Sequence, residues 1–551
     1  MSVVNKENKY DVVIIGAGFA GMYSLYKAKL ANMKAIVLER ASDVGGTWYW
    51  NRYPGARCDV ESMQYSYQFS KELQDEWEWT EKYATQPEIL KYAKHVAERF
   101  DLKKNIKFNI EVKSAKYMEK DNFWEITDSN RKTIKATFCI MATGCLSTVN
   151  KPKFKNLNTF SGAIYHTGNW PHHKVNLKNK KVGIIGTGSS AIQAIPEIIK
   201  DVKHLYVFQR TPHYTVPARN SPLKYLRSNI SNPRNPVGYD NNLYVEEVKA
   251  NYDVFRQKAQ NSVAAMALPI NEESALDVSA EKRQKVYEEK WNIGGVPFIA
   301  SFQDLNFNRE ANETAAKFVR DKIKYLVNDP KTAKTLTPNY PIGCKRLAVD
   351  SNYYETFNEP NISLIDLNLD PLVEFNKDGL LTQQNIYDLD IIILATGFDA
   401  MTGTLFNIDI LGKDNITLKN KWKEGPKTYL GIASEGFPNL FTISGPGSPS
   451  VLTNMIVSIE QHVNWIFKCF DYMNANKKSI IEVSPKAEDE WGKHNQNVSI
   501  DHVRSSCSSW YGGANIKGKA KIFMPYVGGY ASYVEKCNEI SKNNYEGFII
   551  K

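Results

Sequence analysis

No run of this chain is apolar for long enough to cross a bilayer, and no low-complexity or linker-like segment interrupts it. The opening positions, Met1 to Tyr10, are polar and have no apolar h-region, so a secretory signal is not expected and a cytoplasmic place of action is. Cysteine is sparse. Cys58, Cys139, Cys145, Cys344, Cys469, Cys507 and Cys537 are odd in number, widely scattered, and form no C-x-x-C pair, so neither a disulfide framework nor a zinc site is expected, and no other metal. The net charge of +10 is not gathered into a basic tract, and no aromatic-basic platform or helix-turn-helix pattern accompanies it. Nucleic acid is therefore not an expected partner. A Lys- and Asn-rich surface with a few cations aimed at phosphates accounts for the charge better. What remains is an ordinary globular mixture, 42% apolar and 24% charged over 551 residues. That length is enough for three or four compact units with sizeable cores.

Two βαβ units stand out. Tyr10 to Ile15 reads as a buried strand followed by glycines, a helix through about Ala31, and a second strand from Ala35 to Glu39. A similar unit returns at Lys181 to Ile185, with its second strand at Leu205 to Phe208. Between roughly 216 and 332 strand-like runs vanish, and segments such as Ala280 to Trp291 and Glu310 to Val327 mix charged and apolar residues at helical spacing. Tyr387 to Leu394 reads as one further buried strand, and Thr453 to Phe470 as a helix. The expected fold is α/β, with two Rossmann-like dinucleotide-binding domains and a helical insertion. Residues 1–150 and 389–551 form the first domain, 151–215 and 333–388 the second, and 216–332 the insertion.

Gly16-Ala17-Gly18-Phe19-Ala20-Gly21 follows a strand and opens a helix, the context in which G-x-G-x-x-G binds a dinucleotide. Gly16, Gly18 and Gly21 allow the tight turn, the approach to pyrophosphate and close helix packing, and the helix N-terminus adds positive potential. Glu39, 23 positions after Gly16, can accept both ribose hydroxyls and would repel a 2′-phosphate, so the site suits FAD or NAD. The bland alternative, a glycine turn with no ligand, leaves the agreement of strand, turn, helix and acid unexplained. Gly45-Gly46-Thr47-Trp48 can wrap a cofactor's diphosphate and favours FAD. Met141-Ala142-Thr143-Gly144 and Leu394-Ala395-Thr396-Gly397 favour it further, because they resemble the paired turns of flavoproteins with two dinucleotide domains.

The second loop, Gly186-Thr187-Gly188-Ser189-Ser190-Ala191, has the opposite charge logic. Arg210 and Thr211 stand 24 positions after Gly186, in the counterpart of the Glu39 position. A guanidinium there can take a phosphate bidentately, so NADPH is expected rather than NADH.

Phe160 to Pro171, FSGAIYHTGNWP, matches the F-x-G-x-x-x-H-x-x-x-W-[P/D] fingerprint of type I Baeyer–Villiger monooxygenases through Phe160, Gly162, His166 and Trp170. Taken alone His166 would more often be a packed histidine. Nearly the whole chain resembles that family, through Thr47 to Asp59, Gly343-Cys344-Lys345-Arg346, Asn454 to His462, and Ser509-Trp510-Tyr511 with Asn515-Ile516. The resemblance implies an enzyme that uses FAD, NADPH and O2 to turn ketones into esters or lactones through a C4a-peroxyflavin and a tetrahedral adduct. It implies Arg346 as the catalytic cation, held by Asp59. For FAD it implies Gly46, Thr47, Trp48, Trp50, Asp59, Tyr65, Val112 and Met455 beside the glycine loop and Glu39. For NADP it implies Arg57, Thr187, Gly188, Ser189, Ser190, Gln193, Arg210, Thr211, Lys345, Arg346 and Trp510. Ser450, Val451 and Leu452 are expected on the substrate side, and His166 and Trp170 as links between the domains. A monomer or weak homo-oligomer is expected, with no membrane and no nucleic acid.

Arginine suits the chemistry because it remains charged and is a very poor acid, stabilising a peroxide anion without protonating it. Three positions depart from the usual pattern: Cys145 where Gln is common, Lys517 where Pro is common, and Ala191 for the third glycine. Three rivals share parts of this architecture. Disulfide reductases lack support because there is no C-x-x-C pair. Flavin monooxygenases acting on nitrogen or sulfur need a protonated hydroperoxide, which Arg346 disfavours. A non-catalytic redox sensor would need no Asp59/Arg346 pair.

Overall fold

Both faces of the strand Lys9–Ile15 are covered from Val12 onward, which is why Val12 to Ile15 is apolar without alternation. In a computed structural model describing residues 9–223, 241–268 and 271–551, this strand lies parallel between Ala35–Leu38 and Thr133–Met141. The sheet continues through Ile106–Lys107 at one end and, at the other, through Phe123–Asp128, Val112–Met118 and Asp409–Leu411. Leu440–Thr442 also pairs parallel with Thr133–Met141, so the chain returns to its first sheet after a long excursion. The helices Phe19–Leu30 and Met455–Ala475 pack against each other over one face of this sheet. Most of the polar opening, residues 1–8, lies outside the described residues, as do 224–240 and 269–270 of the insertion.

The excursion builds a second sheet, parallel throughout, in the order Ile362–Asp366, His204–Gln209, Lys181–Ile185, Ile391–Leu394, Ala163–His166. A three-stranded antiparallel sheet, Leu372–Asn376, Gly379–Thr382 and Ile386–Asp388, is appended to it. The helices Ala280–Ile293, Arg309–Leu326 and Pro330–Leu336 share the core of this second unit. Ser279, Asn308 and Asp329 cap their first turns, each side chain accepting from backbone N–H groups that the helix leaves unpaired.

Two expectations require correction. The run Tyr387 to Leu394 is two strands. Leu389 N–H donates to the Asp378 carbonyl, and Asp390 exchanges hydrogen bonds with Lys181, so the chain steps from the antiparallel sheet into the parallel one at this point. As a consequence, Ile391–Leu394 belongs to the second sheet, although the expected division assigned everything from 389 onward to the first domain. Among the described residues, no helix is long and apolar enough to cross a membrane.

Candidate active site

The two glycine loops are built alike. Gly16 adopts φ +105° and Gly186 φ +111°, a region open to glycine and strained for other residues. A Cβ on Gly16 would come 2.6 Å from the Ala142 carbonyl oxygen, and one on Gly186 2.5 Å from that of Ala395. Each Ala-Thr-Gly turn thus presses its carbonyl against the first glycine of its own loop. This contact is the physical reason for pairing the motifs. Gly16→Ala is therefore expected to yield colourless protein without flavin. Gly186→Ala should remain yellow but lose NADPH-driven bleaching; absorbance at the flavin band after purification and after NADPH addition separates the two.

At the first loop, Gly18 packs face to face with Gly46, which brings the Gly45–Trp48 segment over the helix start. Glu39 is buried at the end of its strand, where its two oxygens accept the amides of Ala17 and Ala41, each at 2.6 Å. One oxygen thereby fastens the carboxylate to the glycine loop, and each keeps a further lone pair for a ribose hydroxyl. The helix Phe19–Leu30 has no side-chain cap at Gly18, which leaves first-turn amides available to a diphosphate. These features fit FAD. Trp48 donates to the Tyr65 hydroxyl at 3.1 Å, and the Arg40 guanidinium lies 4.9 Å from the centre of the Trp50 ring. Val112 is buried in the same core cluster as Ile36 and Leu38, so its side chain is committed to packing.

At the second loop the helix Ser189–Ile198 also lacks a side-chain cap, and the space a Cβ on Gly188 would enter is open. The Thr187 hydroxyl donates to the Thr211 carbonyl at 2.8 Å, tying the loop to the Arg210-Thr211 strand end. Lys345 arrives from a distant loop. Burial and then the charge of Arg210 lower its pKa, and its ammonium lies 4.6 Å from the centre of the Tyr340 ring. Among the described residues neither Arg210 nor Lys345 has a carboxylate partner, so two cations converge with nothing to neutralise them. That arrangement fits the 2′-phosphate of NADP. Two of the expected NADP residues have other commitments. Arg57 pairs with Glu81 at 3.3 Å. Gln193 accepts from the Tyr53 hydroxyl at 2.8 Å and donates to the Arg57 carbonyl at 3.1 Å, bridging the two units.

Asp59 and Arg346, 287 positions apart, form a two-pronged ion pair. Nε donates to Oδ2 at 2.7 Å and Nη2 to Oδ1 at 2.8 Å, while Nη1 donates to the Val451 carbonyl at 2.7 Å. Three of a guanidinium's five N–H bonds are thereby used, and the remaining two lie along its outer edge. Burial pushes Asp59 up, but the charge and hydrogen bonds of Arg346 outweigh it and hold the carboxyl below its ordinary value. Asp59 in turn raises the already high pKa of Arg346, against burial. A depressed carboxyl pKa makes the pair stabilising at neutral pH, a contribution lost only as pH falls through that lowered value. Behind the pair, His213 bonds the Arg346 carbonyl through Nε2 at 2.7 Å, and burial pushes its pKa down to about 4.

Val451 and Leu452 meet Met455, Trp510 and Tyr511 in one small apolar cluster, with Cys145 among them. Sequence reasoning missed five members, Leu146, Ala400, Met401, Phe523 and Met524, which carry no local motif. It also missed how the late segment is fastened. Asn515 donates to the Phe398 carbonyl at 2.7 Å, and Lys519 binds Asp399 at 2.6 Å and the Ala400 carbonyl at 2.7 Å. These bonds dock the segment on the turn just beyond Gly397. Lys517 is exposed and disturbs none of them.

His166 ends the strand Ala163–His166. Its Nδ1 accepts the Gly168 amide at 3.0 Å and its Nε2 lies 3.1 Å from the Asn150 carbonyl, so the ring is the neutral Nε2–H tautomer. Burial lowers its pKa, partly opposed by that carbonyl. Phe160 and Gly162 have packing reasons. A Cβ on Gly162 would strike the Phe160 ring, and Phe160 sits in the core of the second sheet. Trp170 is buried against Tyr165, with ring centres 5.3 Å apart. The cysteine reading needs correction: Cys344 and Cys507, 163 positions apart, form a disulfide across a Cα–Cα distance of 6.1 Å. Connectivity between distant cysteines follows the fold and leaves no trace in spacing.

Two nucleotide-binding sheets, one with a buried acid and one with convergent cations, define a flavoprotein with two dinucleotide-binding domains. A family model described as pyridine nucleotide-disulphide oxidoreductase matches residues 13–265. A Baeyer–Villiger monooxygenase of Pseudooceanicola batsensis is 39% identical over 546 residues, which cover 98% of this chain and 96% of that protein. Cyclohexanone 1,2-monooxygenase of an Acinetobacter sp is 38% identical over 552 residues, 100% of this chain and 98% of that one. Oxidized steroid monooxygenase bound to NADP superposes with a TM-score of 0.92 at 44% identity, covering 98% of this chain and 99% of that one. The chain belongs to the Baeyer–Villiger monooxygenase family. It is a flavin monooxygenase, and its cofactors are FAD and NADPH.

Proposed function

We propose that this enzyme inserts one atom of O2 beside the carbonyl of a small ketone, giving an ester or lactone, with Arg346 as the cation at the reacting centre. The observation that carries this reading is the ion pair of Arg346 with Asp59, set against the apolar cluster of Val451, Met455 and Trp510. Bound FAD and NADPH supply hydride transfer and oxygen activation. The chain supplies charge, orientation and exclusion of water. Arg346 offers its outer N–H groups to negative charge developing on the activated oxygen and on the ketone oxygen. Its raised pKa means it gives up no proton there. Asp59 fixes the guanidinium plane and offsets part of its charge. Arg210 and Lys345 receive the 2′-phosphate, and Glu39 the adenosine ribose of FAD. Val451 and Leu452 shape the ketone side, and Cys145 contributes a small apolar wall.

The first domain comprises residues 1–150 and the chain beyond about 397, the second 151–215 and 333 to about 397, with the insertion between. His166 couples the two through the Asn150 carbonyl, with Trp170 packed on Tyr165 beside it. The enzyme acts as a monomer or weak homo-oligomer in the cytoplasm, where NADPH is at hand.

Anaerobic reduction of the yellow protein by NADPH, followed by aeration with a panel of small ketones, tests the reading. Ester or lactone formed in step with NADPH consumption is the expected result. Hydrogen peroxide alone with every ketone, or oxidation only of amines and sulfides, would overturn it.

A further inference from the structure

Cys344 stands two residues before Arg346, and Cys507 three residues before Trp510. Their bond therefore joins the loop that carries the catalytic cation to the late segment. Cys344 is fully buried, behind a loop held by Asn312, whose amide donates to the Ile342 carbonyl at 2.8 Å. Cys507 is only half-buried. The late segment is anchored upstream by the Val503 amide on the Asn306 carbonyl at 2.8 Å, and downstream by Asn515 on the Phe398 carbonyl at 2.7 Å and Lys519 on Asp399 at 2.6 Å. Among the described residues, the hydrogen bonds of positions 504–510 reach no farther than residues 499–514. The buried Ser509 hydroxyl has no partner at all. Apart from the packing of Trp510, the disulfide is what fastens this stretch to the Arg346 loop.

We infer that Cys344 and Cys507 form a reversible thiol latch that sets how tightly the Trp510 segment closes over the nicotinamide cofactor. The inference rests on the reading of Trp510 as an NADP contact. In the oxidised state the covalent link holds the segment down and slows cofactor release; as two thiols the pair lets it lift. A peroxide is a suitable oxidant. The Cys507 thiolate attacks one oxygen of hydrogen peroxide, the O–O bond breaks, and the departing hydroxide takes up the proton released when the thiol ionised, giving a sulfenic acid and one water. The Cys344 thiol then attacks that sulfur, the S–S bond forms, and the sulfenic oxygen leaves with two protons as a second water. The two thiols lose two electrons and the peroxide gains them. A dithiol or phosphine reductant reverses the step. The half-exposed Cys507 is the accessible partner, and the basic residues Arg504, Lys345 and Arg346 next to the pair in sequence favour thiolate. The other five cysteines are buried and unpaired, which restricts the exchange to this pair.

The test uses FAD-loaded enzyme treated with hydrogen peroxide or with a phosphine reductant and then desalted. Thiols titrated after denaturation are expected to number five of seven in the first sample and seven in the second. NADP+ release, followed by displacement in a stopped-flow instrument through the flavin spectrum, is expected to be about tenfold slower in the oxidised sample, as for a closed lid. Cys507→Ser and Cys507→Ala should release NADP+ at the reduced rate after either treatment. Seven thiols after peroxide, equal release rates in the two samples, or a treatment-dependent rate in the Cys507 variants would each overturn the latch. None of these readouts needs ketone turnover, so a failed latch leaves the monooxygenase reading standing. Loss of ester formation with a working latch would sink only that reading, and a protein that binds no NADP+ in either state overturns both.

Discussion

Arg346→Ala is expected to leave NADPH-driven bleaching of the flavin measurable while lowering ester formation by about 10²–10³-fold, the effect of removing one preorganised donor to developing oxyanion charge. Reduction and oxygen insertion are expected to separate because Arg346 is assigned to charge on the oxygens rather than to the hydride transfer. Substitution also leaves the half-buried Asp59 without its partner, so some loss of stability will accompany the loss of activity. Arg346→Lys is the discriminating companion. Lysine keeps the charge but cannot make both bonds to Asp59 and the bond to Val451 from one plane, so it should restore stability far better than turnover. Rapid-mixing of the reductive half-reaction beside product analysis by gas chromatography separates these outcomes. Normal ester yield from the alanine variant would remove Arg346 from the chemistry.

Arg210→Ala is expected to raise the KM for NADPH by roughly 10–100-fold and to leave NADH almost unaffected, since a charge-assisted hydrogen bond contributes about 1.5–3 kcal/mol. Lys345→Ala should act in the same direction. The double variant should lose less than the sum, because each single change also relieves the repulsion that lowers the Lys345 pKa. Ionic strength gives an independent check. Raised salt should weaken NADPH binding to the wild type more than to the double variant, because screening acts on the charges that remain. An unchanged ratio of NADPH to NADH preference in Arg210→Ala would assign the 2′-phosphate elsewhere.

Much of this architecture was legible beforehand because its determinants are local. A glycine loop after a strand, an acid or an arginine at the next strand end, and helical spacing in the insertion all lie within a few tens of residues. The helix expected from Thr453 starts at Met455, capped by Asn454, and the one expected over Ala280 to Trp291 runs to Ile293. Legibility failed where the fold changes partners over short distances. The step between Asp388 and Ile391 looked like one strand because both halves are apolar, and only the bonds of Leu389 and Asp390 reveal two sheets.

From its residues alone, the chain determined two nucleotide loops of opposite preference and, by resemblance, a monooxygenase built on them. Glu39 and Arg210 differ in charge, and charge acts on whatever phosphate comes near. Only the tertiary structure decided how Arg346 is held, which apolar residues from four distant segments surround it, and that Cys344 and Cys507 meet. Asp59 and Arg346 are 287 positions apart, Arg346 and Val451 105, and Cys344 and Cys507 163, and closing such loops depends on the packing of whole domains rather than on any local pattern.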